Sequence, residues 1–470
     1  MSLTTPVVDA RQDNRRWWVL AVVVAAQFMF VVDAFIVNVA IPTIRADLHA
    51  TTGEMQGVIV LYQIAFATLI ITGGRLGDIH GSKPVFLTGL VGFTAASLWC
   101  GLAQSGGGLV LARAVQGAAA ALMIPQVLAA IHVLFRDQER GRAFGIYGFA
   151  LGFGGAVGFG LGGWLVALDV ASLGWRTIFF VNAPIGLVLM GAAWWLMPSI
   201  PGSPGVRLDG IGAVVLLVGL LCVIGPLLLG ADVGWAPWLF AVMAAGLLML
   251  ALMRPLERWV EHRKGLPLIP LALLQDGRFA IGLLVVFFFT VANISFYLVL
   301  TLYMQLGLGF SPLQSGSALL PLAVAFASVS RIAGPRAQRH GVMALIEGLG
   351  VEIAGLAILG AVVAVYAEPA EFPLALLLVV FGSGQAMVMA PLYALVLTKV
   401  PAGHSGSGGG VVSTVQQIGN ASGVALVGAL YYAIQAAHSA RYAFLASLGV
   451  LATALAIAAG LLGVLKRRRP

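Results

Sequence analysis

Long apolar runs recur along the whole chain, and short polar segments separate them. A helix rises about 1.5 Å per residue, so roughly 20 apolar residues cross the roughly 30 Å of a bilayer's hydrocarbon. The pattern predicts an all-α integral membrane protein with fourteen transmembrane helices. These spans lie at about 17–40, 54–74, 84–104, 107–133, 142–167, 177–197, 210–231, 237–253, 279–305, 313–333, 342–366, 373–397, 407–433 and 442–465.

The composition supports a lipid environment. Of the 470 residues, 60% are hydrophobic and 9% are charged, whereas soluble domains carry about 25% charged residues. The net charge of +8 is dispersed between apolar runs, so we expect no nucleic-acid partner. The seven His are dispersed and the two Cys lie far apart, so we expect neither a metal centre nor a cofactor. The sequence also lacks a phosphate-binding loop of the P-loop type.

The basic residues orient the chain in its membrane. Most of the 26 Lys and Arg residues fall in the terminal tails and in the loops on the same side as the tails. Loops rich in Lys and Arg stay on the cytoplasmic side of a membrane. An even number of spans therefore places both termini in the cytoplasm, and we expect the protein in the cytoplasmic (inner) membrane.

The predicted spans group as six, two and six. Pro and Gly punctuate 198–205, and a basic segment follows from Arg254 to Lys264. We predict a six-helix bundle over 1–200, an inserted two-helix hairpin with its linker over 201–264, and a second six-helix bundle over 265–470. Equal halves are typical of internally repeated transporters, whose substrate site lies between the halves. Span number alone leaves a receptor, a channel or a lipid enzyme open.

Two opposite charges fall inside predicted spans at similar depth. Asp33 lies roughly 24 Å beyond Trp17, or about 10 Å below the outer end of span one, and Arg113 lies roughly 9 Å below the same surface in span four. Charges in such places normally face a bundle interior or an aqueous cavity. We expect Asp33 to exchange a proton and Arg113 to tune its release. The alternative is that fixed hydrogen bonds at both residues only hold helices together.

Two acidic residues follow the basic loop before span eleven. Glu347 lies near the helix start and can reach back to the interface, whereas Glu352 lies one turn deeper. We therefore include Glu352 with Asp33 and Arg113 as a candidate for proton coupling, with a local pairing as the alternative.

Polar and aromatic residues within the spans are candidates to line a substrate cavity, because such cavities combine apolar walls with a few polar groups. Each of them taken alone also fits an interhelical contact or lipid exposure. The candidates are Phe35, Asn38, Tyr62, Gln63, Phe66, Asn293, Phe296, Tyr297, Gln385, Gln416 and Asn420.

The loop after span two carries a recognisable motif. Residues 73–83 read GGRLGDIHGSK, which resembles the signature loop of the major facilitator superfamily. Small residues permit a tight turn, and Asp78 can pair with Arg or face a helix N-terminus. The resemblance implies that this loop holds a cytoplasmic gate shut, and a solvated surface turn is the alternative. The implied gate residues are Gly74, Arg75, Asp78, Gly81, Lys83, Arg136 and Arg140.

Spans four and five continue the resemblance. Residues 109–117 read LVLARAVQG, similar to the superfamily's charged motif, whose Arg is associated with proton coupling. Span five carries Gly154, Gly158 and Gly162, similar to the glycine-rich motif of antiporters, and this spacing makes a smooth face for packing and sliding. Phe159 stands where that motif has a proline.

Two further segments resemble the fourteen-span drug:proton antiporters. They are DAFIVNVAIP at 33–42 and WRTIFFVNAP at 175–184. The second-half gate loop at 334–341 departs from the pattern, with Gln338 where an acid is common. The resemblance implies the major facilitator fold, two six-helix bundles with the hairpin inserted between them.

We therefore predict a non-enzymatic multidrug antiporter that exports hydrophobic or cationic small molecules against an entering proton. Its expected partners are a lipophilic substrate, protons and membrane lipids, and we expect a monomer. Export of an endogenous lipid or metabolite, downhill facilitation, and a non-transporting receptor or assembly factor are the alternatives. Export of an endogenous compound and downhill facilitation would use the same helices, whereas a receptor or assembly factor would need no proton gradient.

Overall fold

The computed structural model describes residues 10–135, 137–168, 172–199, 210–230, 233–262, 276–366, 371–397 and 405–467. Within these ranges the regular structure is helical throughout. The helices are α1 (Ala10–Leu48), α2 (Thr52–His80), α3 (Ser82–Gly101), α4 (Gly106–Leu134), α5 (Asp137–Leu168), α6 (Thr177–Phe180), α7 (Asn182–Leu196), α8 (Gly210–Leu229), α9 (Pro237–His262), α10 (Gly277–Leu302), α11 (Pro312–Ala318), α12 (Leu320–His340), α13 (Val342–Val365), α14 (Glu371–Leu397), α15 (Ser405–Ala437) and α16 (Ala440–Arg467).

Twelve stretches of the described chain are long and apolar enough to cross a membrane. This confirms a multi-span helical membrane protein, with fewer qualifying stretches than the fourteen predicted spans. The difference lies in α5 and α15. Within α5 the described apolar stretch, Phe153–Leu168, is shorter than a span, because several side chains just before it lie outside the described residues. Helix α15 begins with a run of Gly and Ser and carries Gln and Asn in its first half.

The helices pack in two groups. In the first group α2 packs against α4, α3 against α4 and α7, and α1 against α5. In the second, α14 packs against α12 and α13, while α10 packs against α15 and α16. We call the surface between the groups the seam. Across it α2 contacts α15, and α5 contacts α11 and α12. Helices α8 and α9 pack against each other, and α8 also contacts α2 and α15.

Caps and turns satisfy backbone groups at the helix ends, as is required where water is scarce. At the start of α2, Thr51 and Glu54 form a capping box, and Ser311 and Gln314 form another at the start of α11. Gly81 separates α2 from α3 with a φ of 91°, a conformation that favours glycine. The tight turn predicted from the loop motif is therefore present.

Close contact between α2 and α4 brings the interior of the first group together. A Cβ atom added at Gly117 of α4 would lie 2.2 Å from the carbonyl oxygen of Tyr62, and one at Gly73 of α2 would lie 2.0 Å from that of Ala121. Small residues of this kind let helix backbones approach in membranes. As a result, α2 lies directly against the turn of α4 that follows Arg113.

We expect Gly117→Ala to destabilise the fold by about 1–3 kcal/mol, because the added methyl group forces the two backbones apart. Thermal unfolding in detergent measures the effect as a lower transition midpoint. Gly191→Ala on α7 is the matched control, since a Cβ there meets nothing within 4 Å and the alanine should leave stability equal or raised. Equal midpoints for the two variants would contradict this packing.

Candidate functional site

An ion pair lies inside the first helix group. Arg113 Nη1 of α4 donates to Asp33 Oδ2 of α1 at 2.5 Å. The exposed fraction is 0% for Asp33 and 1% for Arg113. The structure thus brings together the two charges whose depths match in the sequence. Buried charges need such a partner, since an isolated ion costs several kcal/mol in a medium of low polarity.

Two amides complete the surroundings of the carboxylate. Gln116 Nε2 of α4 donates to Asp33 Oδ1 at 2.9 Å, and Asn182 Nδ2 of α7 donates to the same oxygen at 2.7 Å. Gln116 Oε1 in turn accepts from Arg113 Nη1 at 2.8 Å. The carboxylate therefore receives three donors from two helices, an arrangement suited to an ionised acid.

The guanidinium of Arg113 is fixed on its other sides by α2. Its Nε donates to the carbonyl oxygen of Val58 at 3.1 Å, and its Cζ lies 3.9 Å from the ring centroid of Tyr62. A cation over an aromatic face gains electrostatic attraction. Behind Asn182, the hydroxyl of Ser97 accepts from that amide at 2.9 Å. The site thus draws on α1, α2, α3, α4 and α7.

Sequence reasoning did not select Gln116, Asn182 or Ser97 as site residues. Gln116 lies three residues after Arg113 and Asn182 lies in the segment 175–184, so both belong to motifs that carried the family resemblance. Their polar side chains in apolar helices were the available signal. Ser97 carried no comparable signal, because a single Ser in a membrane helix usually bonds to its own backbone.

The predicted glycine face of α5 packs directly on α1 beside Asp33. A Cβ added at Gly158 would lie 3.0 Å from the carbonyl oxygen of Val32, and one at Gly162 would lie 2.8 Å from that of Ile36. Gly154 faces the side chain of Val31. The three glycines therefore line the α1 segment that holds the acidic residue.

An aromatic cluster joins the two groups across the seam. The ring centroid of Phe159 on α5 lies 4.8 Å from that of Tyr297 on α10, and Phe35 on α1 lies 5.3 Å from Phe159 and 5.8 Å from Tyr297. The structure brings together two of the predicted substrate residues here. The cluster also contains Phe159, which was not predicted as a substrate residue and which stands where the antiporter motif has a proline.

A polar cluster lies behind Tyr297 in the second group. The Tyr297 hydroxyl donates to Gln385 Oε1 of α14 at 2.7 Å. Asn293, one turn earlier on α10, donates to the carbonyl oxygen of Phe289 at 2.9 Å. Glu352 of α13 is fully buried, and Phe296 stacks on Phe381 at 3.9 Å between ring centroids. Five predicted residues therefore converge in one region: Asn293, Phe296, Tyr297, Glu352 and Gln385.

The remaining predicted substrate residues are scattered. Asn38 donates to the carbonyl oxygen of Phe35 on its own helix, and Asn420 donates to Gln417 Oε1 at 2.8 Å. Phe66 packs on Phe30. Gln63 is buried and Gln416 is half-buried. The structure does not gather these five residues around one cavity.

The structure describes some contacts of the predicted gate loop. Lys83 Nζ donates to the carbonyl oxygen of Trp194 at 2.7 Å, so it caps the end of α7. Asp78 is exposed and lies within electrostatic reach of Arg75. A Cβ at Gly74 would only touch Pro125. Two further predicted gate residues, Arg136 and the side chain of Arg140, lie outside the described residues.

Contacts across the seam occur at the end where α1 finishes. Gln305 Nε2 donates to the carbonyl oxygen of Val39 at 2.9 Å, and the Arg45 guanidinium lies 5.4 Å from the ring centroid of Tyr432. These contacts hold the two groups together at that end. A cavity of about 490 Å³ opens there, lined by Pro42, Arg45, Ala46, His49, Ala50, Leu302, Leu306 and Tyr432. Its lining includes no predicted site residue.

Relatives of this chain carry names of antibiotic transport and resistance. It is 37% identical over 424 residues to the probable actinorhodin transporter of Streptomyces coelicolor, covering 89% of this chain and 73% of the relative. It is 34% identical to the puromycin resistance protein pur8 of Streptomyces alboniger, covering 92% and 84%. A tetracenomycin C resistance and export protein of Streptomyces glaucescens is 30% identical, with 91% and 77% covered.

Solved structures share the fold at low sequence identity. The POT family transporter PepTSo superimposes with a TM-score of 0.69 at 13% identity, covering 97% of this chain and 99% of the other. A D-xylose-proton symporter gives a TM-score of 0.67 at 15% identity, covering 95% and 97%. These likenesses show the fold of the whole chain.

The sequence profile described as the Major Facilitator Superfamily matches residues 23–209 and 203–424. The two matches cover both helix groups and most of the chain. With the relatives and the shared fold, they show that this chain belongs to the Major Facilitator Superfamily.

Proposed function

We propose that this protein exports small lipophilic molecules in exchange for protons that enter the cell, by alternating access between its two helix groups. The observation that carries the proposal is the buried ion pair of Asp33 and Arg113. An acid that can change its charge inside a membrane helix is a typical proton carrier. Relatives named for actinorhodin transport and puromycin resistance support the direction of export.

The ion pair provides a two-state switch. While Arg113 faces Asp33, the carboxyl group accepts three hydrogen bonds from this cation and two amides, and donors of this kind stabilise the charged form of an acid. If a helix movement withdraws the guanidinium, the acid is left in a low-dielectric interior, where the neutral form costs less. Proton uptake would therefore accompany separation of α1 from α4, and proton release would accompany their return.

Helix α1 couples this switch to the seam. Asp33 and Phe35 are two residues apart, which places them about 200° apart around the helix axis. Asp33 faces the interior of the first group, whereas Phe35 contacts Phe159 and Tyr297. A shift of α1 along the glycines of α5 would move both residues together, so protonation and substrate would favour different arrangements of the seam.

We place the substrate at the aromatic cluster of Phe35, Phe159 and Tyr297, with Gln385 as a polar contact. Aromatic walls with a few polar groups suit a flat, lipophilic molecule. In the described spans, the Asp33 charge is already balanced by Arg113, which favours neutral or monocationic substrates over multivalent cations.

The proposal includes the fourteen-span architecture. Helices α5 and α15 are long and pack within their groups, so we count both as spans in addition to the twelve stretches. Helices α8 and α9 form the inserted hairpin between bundles over 1–200 and 265–470. With both termini in the cytoplasm, the contacts of Gln305 and Arg45 lie on the outer face, and the seam is closed towards the outside.

We expect Asp33→Asn to abolish uphill transport, because the amide cannot carry a proton. Proteoliposomes with an imposed pH gradient and a clamped membrane potential measure uphill ethidium movement. Exchange of ethidium for ethidium should persist, since it needs no proton. Asp47→Asn on the same helix is the control, because Asp47 makes a surface pair with Arg176 at 2.7 Å, and it should transport normally. Uphill movement by Asp33→Asn would refute the assigned role.

We expect Arg113→Gln to lower the free energy of unfolding by about 3–5 kcal/mol, because Asp33 is left buried without a cation. The double variant Asp33→Asn/Arg113→Gln should recover most of this loss. Thermal unfolding of the wild type, both single variants and the double variant completes the cycle. Strictly additive effects would mean that the pair is not coupled.

A further inference from the structure

Glu352 is a buried acid that the ion pair of the first group does not explain. It lies near the middle of α13 and has an exposed fraction of 0%. Neither of its carboxyl oxygens makes a hydrogen bond of standard geometry with the described residues, although the Asn293 side chain lies within reach. Buried polar groups are rarely left in this condition, and an ionised carboxylate is the costliest case. Glu352 therefore needs either a proton or a cation.

The described surroundings of Glu352 supply no cation. The polar groups beside it come from α10 and α14, namely Asn293, Tyr297 and Gln385. The described ion pairs and hydrogen bonds join none of the charged groups on the neighbouring helices to Glu352. Arg441 of α16 bonds to the carbonyl oxygen of Val363, eleven residues or about 16 Å along α13 from Glu352. Arg331 lies near the middle of α12, but its side chain is exposed whereas Glu352 is fully buried. The other charged or titratable groups lie towards the helix ends: Arg278 of α10, Arg336, Arg339 and His340 of α12, Glu347 of α13, and Lys466 and Arg467 of α16.

The side chain of Asn293 offers an acceptor for a hydrogen bond from a protonated Glu352. Its amide nitrogen is used by the carbonyl oxygen of Phe289, while its Oδ1 is buried without a donor. This amide lies beside the Glu352 carboxyl. A proton on the carboxyl would make Glu352 a donor and could satisfy the acceptor oxygen of Asn293. One proton thus relieves two unsatisfied groups.

The site has a connection to the seam. Tyr297 lies one turn after Asn293 on α10, donates to Gln385 and contacts the rings of Phe35 and Phe159 from the other group. A cationic molecule held at this aromatic cluster would favour the ionised form of Glu352 by direct attraction. Substrate and proton would then compete through one short chain of contacts.

We propose that Glu352 and Asn293 form a second proton-binding site, in the second helix group, so that two acids titrate in each transport cycle. This inference rests on the proposed proton coupling at Asp33 for its place in the cycle, because without proton exchange at Asp33 the cycle is uncoupled and a proton at Glu352 drives no uphill transport. The binding of the proton itself does not depend on that coupling. The two sites differ in kind, since Asp33 is balanced by Arg113 and Glu352 has no balancing cation in the described chain.

Infrared difference spectroscopy between alkaline and acidic pH tests the site on the full-length protein in lipid, with the proton as the only ligand. Protonated carboxyl groups give a separate C=O stretching band. We expect the wild type to show a band that Glu352→Gln removes and Asp33→Asn retains. Glu347→Gln is the matched control on the same helix, because Glu347 is half-buried and paired with Arg336 at 2.6 Å, and it should retain the band.

Asn293→Leu gives a second readout that loss of folding cannot imitate. Removing the acceptor should keep the Glu352 band and shift it to the frequency of a carboxyl without a hydrogen bond. A Glu352→Gln spectrum equal to that of the wild type would overturn the site, as would an unshifted band in Asn293→Leu. Neither result bears on proton exchange at Asp33, which uphill transport by Asp33→Asn tests separately, so failure of this site is distinguishable from failure of the proposed function.

The substrate ratio reached in a transport assay measures how many protons are coupled in each cycle. Each coupled proton multiplies the attainable substrate ratio by about ten for a pH difference of one unit. In voltage-clamped proteoliposomes the wild type should therefore reach an ethidium ratio of about 100, and Glu352→Gln about 10. A wild-type ratio of about 10, or an unchanged ratio in Glu352→Gln, would contradict a second coupled proton.

Discussion

The interaction on which the first helix group depends is the buried ion pair of Asp33 and Arg113. Neither charge is tolerable alone in such an interior, so the surrounding helices must hold both within hydrogen-bonding distance. Gly117 lets α2 approach α4, which places the ring of Tyr62 and the carbonyl oxygen of Val58 against the guanidinium. Helix packing and charge neutralisation are therefore one requirement in this group.

The second group meets the same constraint differently. Glu352 has no balancing cation in the described chain, and an unsatisfied acceptor of Asn293 lies beside it. Among the described residues, the aromatic cluster connects the surroundings of the two acids. Phe35 follows Asp33 on α1, Tyr297 follows Asn293 on α10, and the two rings are in contact. A molecule bound between these rings would influence both acids. This gives coupling a physical basis without a direct contact between proton and substrate.

Much of this arrangement could be predicted from the sequence. Hydropathy locates the spans, and the helical rise per residue gives the depth of each side chain in the membrane. The meeting of Asp33 with Arg113 followed from depth alone. Depth does not determine rotation about the helix axis, so the sequence could not show that Asn420 bonds to Gln417 on its own helix or that Lys83 caps α7. Nor could it show that Phe159, at the place of an absent proline, contacts Tyr297 across the seam. The glycine-rich and polar first half of α15 also shows why a hydropathy count and a helix count differ.

The central claim is that proton entry drives substrate exit, and it is tested most directly on the unmodified protein. Proteoliposomes are given an acidic exterior with the membrane potential clamped, and ethidium is followed because its fixed charge prevents passive trapping by pH. The account predicts that ethidium moves against its own gradient towards the acidic side, and that a proton ionophore abolishes this movement. Ethidium flux that is never uphill, or uphill flux that persists with the ionophore, would contradict it.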